Sequence, residues 1–322
     1  MSSKKNSIIS RIDAITGIES KYMHTILPAP RSVKIELTAI CDLKCFFCAT
    51  SKRLREKNHM DYEFFKKIAK DMRDSGVEEL GMFYLGESML YPKLPEAILH
   101  AKQDLKFPYI FLTTNGVKAN KALVYKVASN GLDSLKFSLN SANRQEFIDV
   151  TQVDAFDIVV QNIKDARISI DRAYEKTGHK CGLYASSIKY DGEQSQKMQQ
   201  LIDEIKPYVD EHYFLPLYGQ AGLTAGEKGT KPVSGNTGRA DNPRSSLPCW
   251  SVFTEGHVTW DGKLSACCFD HNDAFTMADL NKVRFMEGWN SIPFQQLREH
   301  HLAEMIDETA CKKCIATGEV YG

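Results

Sequence analysis

The sequence predicts an α/β fold, a partial (β/α)6 barrel followed by a small C-terminal domain of β-hairpin and helix. Three observations predict it. Six short apolar runs alternate with helical patterns between residues 33 and 217, the order that generates parallel βαβ units with right-handed crossovers. Polar and turn-forming residues collect where these runs end, at Gly86-Glu87, Asn115-Gly116 and Asn140. Beyond residue 218 the alternation stops, and six glycines fall within residues 219–244. Six units fit an open barrel or a doubly wound sheet, and in both the functional edge lies at the carboxyl ends of the strands.

Each element has its own signal. Residues 1–30 read as a leader segment, a helix broken by Pro28 and Pro30. Val33, Ile35 and Leu37 alternate as the first strand. Asp61 is placed to cap a helix carrying Phe64, Phe65, Ile68 and Met72, which Gly76 stops. Residues 80–85 form the second strand, and the next helix starts around Pro95. Strand three covers 109–112 and ends at Thr114-Asn115-Gly116; a helix over 121–130 stops at Gly131. Strands are predicted at 135–139, 183–188 and 213–217, with helices at 156–175 and 196–209. The barrel core is thus 31–218, a glycine-rich linker covers 219–248, and 249–322 is the C-terminal domain. There, residues 253–260 and 264–268 flank an Asp261-Gly262 hairpin turn, and 294–301 is helical.

Composition narrows the function classes. Hydrophobic residues make up 43% and charged residues 25% of the 322, ordinary values for a globular chain. Lys+Arg and Asp+Glu both number 41, so no net field draws the protein to nucleic acid or an anionic membrane. No apolar run reaches bilayer-spanning length, and the N-terminus lacks a signal peptide's apolar core. A cytoplasmic location is expected.

Nine cysteines in a reducing compartment point to metal or catalysis before disulfides. Cys181 stands apart and reads as a small buried hydrophobe. Cys41, Cys45 and Cys48 follow the first strand at C-x3-C-x2-C spacing. Thiolates this close converge on one centre with little loop-closure cost. Four cysteines usually hold an iron–sulfur cluster, so three leave one iron open to a ligand that is not protein. A zinc site is the alternative, but structural zinc takes four closed ligands. Cys249, Cys267, Cys311 and Cys314 form a second set with the full complement of four, which suits zinc or an iron–sulfur cluster.

With Phe47 ahead of Cys48, the first motif resembles the signature of the radical S-adenosylmethionine (SAM) superfamily. The resemblance implies that the three cysteines hold a 4Fe–4S cluster whose fourth iron is chelated by SAM. Reductive cleavage of SAM then yields a 5′-deoxyadenosyl radical, with a flavodoxin- or ferredoxin-type protein as reductant. Gly86-Glu87-Ser88 resembles the family's Gly-Gly-Glu-Pro segment, which meets the SAM ammonium; Leu85 and Ser88 depart from it. Asn115, Ser138 and Asn140 resemble strand-end positions facing the cofactor. Arg144 and Arg167 are candidates for the partner of the SAM carboxylate.

The second set resembles the family's SPASM or shortened Twitch module, which implies one auxiliary 4Fe–4S cluster. Its spacing is close to that of the aminocyclitol-oxidising member, 2-deoxy-scyllo-inosamine dehydrogenase. Cys268, beside Cys267, is filler, an alternate ligand or a hydrogen donor to a substrate radical. Arg239, in the linker, is a candidate to bind or deprotonate substrate. The resemblance implies dehydrogenation of a small molecule, with the auxiliary cluster accepting an electron. Epimerisation through Cys268 and modification of a peptide are the rival reactions, and a zinc-stabilised binding protein is the non-enzyme reading.

Overall fold

The computed structural model describes residues 7–52 and 55–316. Val33 and Ile35 are fully buried on β1 (Ser32–Ile35). Asp61 caps α2 (Tyr62–Asp74), its carboxylate accepting from the Phe64 N–H at 2.8 Å, and this helix packs Phe65, Ile68 and Met72 inward. The second strand is shorter than predicted. β2 (Glu79–Gly81) ends early because residues 83–86 leave the sheet to meet the loop that follows β1. Next come α3 (Leu94–Leu99), β3 (Tyr109–Thr114), α4 (Lys121–Ser129) and β4 (Ser134–Ser138).

A helix absent from the sequence reading follows, α5 (Arg144–Thr151). Asn143 caps it at 3.0 Å and Glu146 reaches back to the Ala142 N–H at 2.8 Å. That reciprocal cap is spelled by Asn143 and Glu146, three residues apart. Then come α6 (Phe156–Thr177), β5 (Gly182–Ile188), α7 (Gly192–Ile205) and β6 (Glu211–Leu215). Helix α7 stops short of its predicted end because Pro207 follows: Lys206 is still helical and its N–H still bonds the Ile202 carbonyl, but the proline has no N–H to extend the ladder.

The linker is not wholly irregular. It carries a two-stranded ladder, β7 (Gly238–Arg239) with β8 (Asn242–Pro243). The predicted hairpin forms as β9 (Glu255–Val258) and β10 (Lys263–Ser265), with Gly262 at φ 89°, a conformation glycine adopts without strain. An unforeseen third strand, β11 (Thr276–Asp279), pairs with β10. The helices α8 (Phe285–Trp289), α9 (Ile292–Leu302) and α10 (Cys311–Ala316) complete the described chain.

The strand order is β11-β10-β9-β1-β2-β3-β4-β5-β6. From β9 through β6 every pairing is parallel. The C-terminal hairpin is therefore a continuation of the barrel sheet, with Ser32–Ile35 paired to Glu255–Val258. The main core lies between sheet and helices, where Leu80, Ile110, Leu135 and Leu183 are fully buried against residues such as Phe65 and Val159. A second, smaller cluster fills one end of the barrel interior: Ile8, Tyr184 and Tyr213, with Ile12 and Leu215 against them.

The leader helix thus belongs to the barrel. Ser7 Oγ and the Ile9 N–H both donate to Glu211, at 2.8 and 3.2 Å, fixing the start of α1 (Ile8–Thr16). Thr254 Oγ1 donates to the Ile15 carbonyl at 2.7 Å near its end. No helix among the described residues is long and apolar enough to cross a membrane.

Candidate active site

The 41–48 loop leaves the carboxyl end of β1 and is held from three sides. The Lys44 and Phe46 N–H groups donate to the Thr151 and Val150 carbonyls at the end of α5, at 3.0 and 3.1 Å. The Glu87 N–H donates to the Ile40 carbonyl at 2.8 Å. Thr50 Oγ1 lies 3.2 Å from Cys48 Sγ and 3.2 Å from the Leu85 carbonyl oxygen. Gly86 makes this approach possible. A Cβ there would stand 2.0 Å from the Thr38 carbonyl oxygen, closer than any side chain tolerates, so the second strand's end can meet the first only through glycine.

Asn115 faces the loop. Its Nδ2 donates to Asp42 Oδ1 at 2.7 Å and lies 3.9 Å from Cys41 Sγ. Burial pushes the Cys41 thiol up to about 12 and raises Cys45 further. As free thiols both stay protonated near neutrality, so metal binding must displace their protons.

Glu87 is buried, 3% exposed, and its carboxylate is already engaged. Oε1 accepts from Thr114 Oγ1 at 2.9 Å and the Met89 N–H at 3.0 Å; Oε2 accepts from the Asn115 N–H at 2.7 Å. Burial raises its pKa to about 7 despite these three donors. Glu87 thereby ties the ends of the second and third strands into one rim beside the loop. Ser88, also buried, starts the short helical turn Ser88–Leu90 behind it.

Below this rim lies a cavity of about 320 Å³ inside the barrel. Phe47, Ser138 and Asn140 border it on the side of the 41–48 loop, Ile8, Ile12 and Ile15 of α1 line it too, and Trp250, Cys268 and Phe269 face it from the C-terminal module. Asn140 is fixed by its Oδ1 accepting from the Ile188 N–H at 3.2 Å.

The basic candidates fall elsewhere. Arg144 is exposed and pairs with Asp154 at 2.5 Å; Arg167 pairs with Asp171 and Asp210 on the helical exterior. Neither stands on the cavity wall, because α5 and α6 turn these faces to solvent. Arg239 is buried but bidentate to Asp13 of α1, both nitrogens at 2.9 Å. Its fork is spent on a carboxylate of this chain, so its place in the structure is that of a positioning residue.

The second cysteine set comes together as its spacing predicted. Cys249, Cys267, Cys311 and Cys314 line one enclosed cavity, with Cys268 and Asn236 on the same wall. Among the described residues, no group of three ligating side chains closes on one point as a single ion requires. The four thiols line one enclosed space, and four cysteines are the complement that an iron–sulfur cluster takes. Donors already face the sulfurs. The Phe269 N–H lies 3.3 Å from Cys267 Sγ and the Asn236 amide 3.0 Å from Cys268 Sγ.

His301, which the sequence reading passed over, adds a third donor. Its Nδ1 accepts from the Cys249 N–H at 3.2 Å, so the ring proton sits on Nε2, 3.3 Å from Cys311 Sγ. Burial lowers the ring to about 4, keeping it neutral. Hydrogen bonds to sulfur tune cluster potentials. No local motif marks His301; only the turn of α9 brings it to the cysteines.

Two family models match the chain: the radical SAM superfamily over residues 35–179 and the SPASM iron–sulfur cluster-binding domain over 249–315. The chain carries a radical SAM domain and a SPASM module, which imply 4Fe–4S clusters and SAM as its cofactors. A probable GTP 3′,8-cyclase of Saccharolobus islandicus is 34% identical over 134 residues, 42% of each chain. That match spans less than half the length of the relative.

Among solved structures, BtrN in complex with AdoMet and 2-DOIA superposes with a TM-score of 0.58 at 14% identity, over 88% of this chain and 91% of that one. Streptococcus suis SuiB bound to the precursor peptide SuiA gives 0.64 at 18%, over 85% and 67%. At such identities the likeness is one of fold.

Proposed function

We propose that the protein is a radical SAM oxidoreductase that dehydrogenates a small polar molecule held in the barrel cavity. The observation that carries this reading is the position of Cys268, which stands on the wall of both the barrel cavity and the cysteine cavity. Asn236 and Phe269 share both walls with it, so a substrate in the first cavity would stand beside a metal centre in the second. Cys41, Cys45 and Cys48 hold the SAM-binding cluster, and Cys249, Cys267, Cys311 and Cys314 the auxiliary one. Bound there, SAM and the first cluster supply a hydrogen-abstracting radical, and the auxiliary cluster supplies an electron acceptor.

The chain's own residues set the conditions. Phe47, Ser138 and Asn140 border the cofactor's side of the cavity, while Ile8, Ile12 and Ile15 keep water from the interior. His301 and the Phe269 N–H donate to auxiliary sulfurs. A volume of about 320 Å³ falls in the range of small-molecule sites, which favours this substrate class over a peptide.

The test is anaerobic turnover of cluster-loaded protein with SAM, a reductant and a panel of polyols and amino sugars. The expected result is 5′-deoxyadenosine and a two-electron-oxidised product in equal amounts. Consumption of substrate with no oxidised product sinks the reading. Epimerisation is the second reading, favoured by the Cys268 thiol on the cavity wall with Asn236 donating to it. It requires solvent deuterium in the product, and product loss in Cys268→Ala with 5′-deoxyadenosine still formed.

A further inference from the structure

Strand β4 turns Ser134, Lys136 and Ser138 to one face, and all three line the barrel cavity. Ser138 is at the cofactor's edge, so Lys136 lies one two-residue step, about 7 Å, deeper. The charged groups on the cavity wall are three cations and one carboxylate: Arg11, Lys34, Lys136 and Glu255. Arg11 is answered by Glu79 at 2.5 Å and Lys34 by Glu255 at 2.5 Å. Lys136 has neither an ion-pair partner nor a hydrogen-bond acceptor among the described residues. Its Nζ stands 5.5 Å from the centre of the Tyr213 ring, a neighbour that tolerates a cation without neutralising it. The surrounding wall is aromatic and aliphatic, with Phe83, Phe111 and Leu215. In such a place water screens charge poorly and an unmatched ammonium favours an anion strongly.

We infer that Lys136 seats an anionic group of the substrate, a carboxylate or a phosphate, and so points the reacting carbon at the Ser138–Asn140 edge. Seating at one end orients what is exposed at the other, the usual use of binding energy remote from the reacting atoms. The inference rests on the proposed function only in taking the barrel cavity as the substrate site.

The experiment is calorimetric titration of the anaerobic, SAM-bound holoenzyme with three probes of similar size: benzoate, phenyl phosphate and neutral benzyl alcohol. The wild type is expected to bind at least one anion about tenfold more tightly than the alcohol. Lys136→Met loses that preference and Lys136→Arg keeps it, with SAM affinity in both variants within about twofold of wild type. The tighter of the two anions tells carboxylate from phosphate. No anion preference in the wild type, or one that survives in Lys136→Met, overturns the inference. So does a loss of SAM binding in Lys136→Met, which assigns Lys136 to the cofactor. If the anions bind through Lys136 but turnover gives no oxidised product, the reaction class fails and the anion seat stands.

Discussion

A single hydrogen atom decides the geometry at Gly86. Replacing it by methyl puts carbon 2.0 Å from the Thr38 carbonyl oxygen, and both neighbours are backbone, so nothing flexible can yield. Gly86→Ala is expected to cost about 3 kcal/mol, at the upper end of overpacking penalties, and to weaken SAM binding because the 41–48 loop shifts with it. Urea unfolding and SAM titration check this; an unchanged affinity refutes the link to the loop. Residues of this kind were legible. Gly86, Asn115, Cys41, Cys45 and Cys48 sit in short local patterns, whose chemistry the resemblance to a known family then implies. Asn236, His301 and Lys136 were not, because each gains its meaning from a partner far along the chain. Arg239 misled for the same reason: an arginine in a glycine-rich linker reads as available until Asp13 is found against it.

Among elements, α1 and α5 carry roles that their lengths conceal. Helix α5 has eight residues and two buried apolar side chains, Phe147 and Val150, too few for periodicity to speak. Its work is done by the carbonyls of Val150 and Thr151, which receive the cysteine loop. Helix α1 closes the barrel and is pinned by Asp13, whose carboxyl the Arg239 guanidinium holds below the usual range. Asp13→Ala leaves a buried guanidinium without its counter-charge, a loss of about 3 kcal/mol. Hydrogen exchange is expected to rise across residues 8–16 and little elsewhere. Uniform acceleration over the whole chain contradicts a local pin.

The molecule as a whole is organised by one sheet. Alternation of apolar runs made its six barrel strands legible, but not the parallel joining of β9 to β1, since strand pairing between residues 223 apart leaves no local trace. Glu255 secures that joint: it accepts from Ser32 Oγ at 3.1 Å and pairs with Lys34 at 2.5 Å, both on β1. Burial opposes its charge, but Lys34, with help from His257, prevails and holds the carboxyl well below the usual range. A depressed carboxylate stabilises the fold above its unfolded pKa of 4.5 and loses that contribution as pH falls. Glu255→Gln is expected to cost about 3 kcal/mol at pH 7, with the gap to wild type narrowing below about pH 4.5. Unfolding midpoints across that range test it; a gap independent of pH removes the ion pair from the joint.

The parallel β1–β9 ladder also acts as a ruler. The cysteine loop grows from the end of β1, and Cys267 and Cys268 follow the hairpin that β9 begins. Four residue pairs of backbone register, together with the packing of Val258, Leu264 and Trp289 into the same core as Val33 and Phe65, therefore set the spacing between the two cysteine sets. Register moves only in whole residues, about 3.3 Å each, and every odd step turns the strand's side chains to the other face. A slip of this joint would therefore change the separation of the two sites by whole-residue steps and could not pass unnoticed in the packing of either strand.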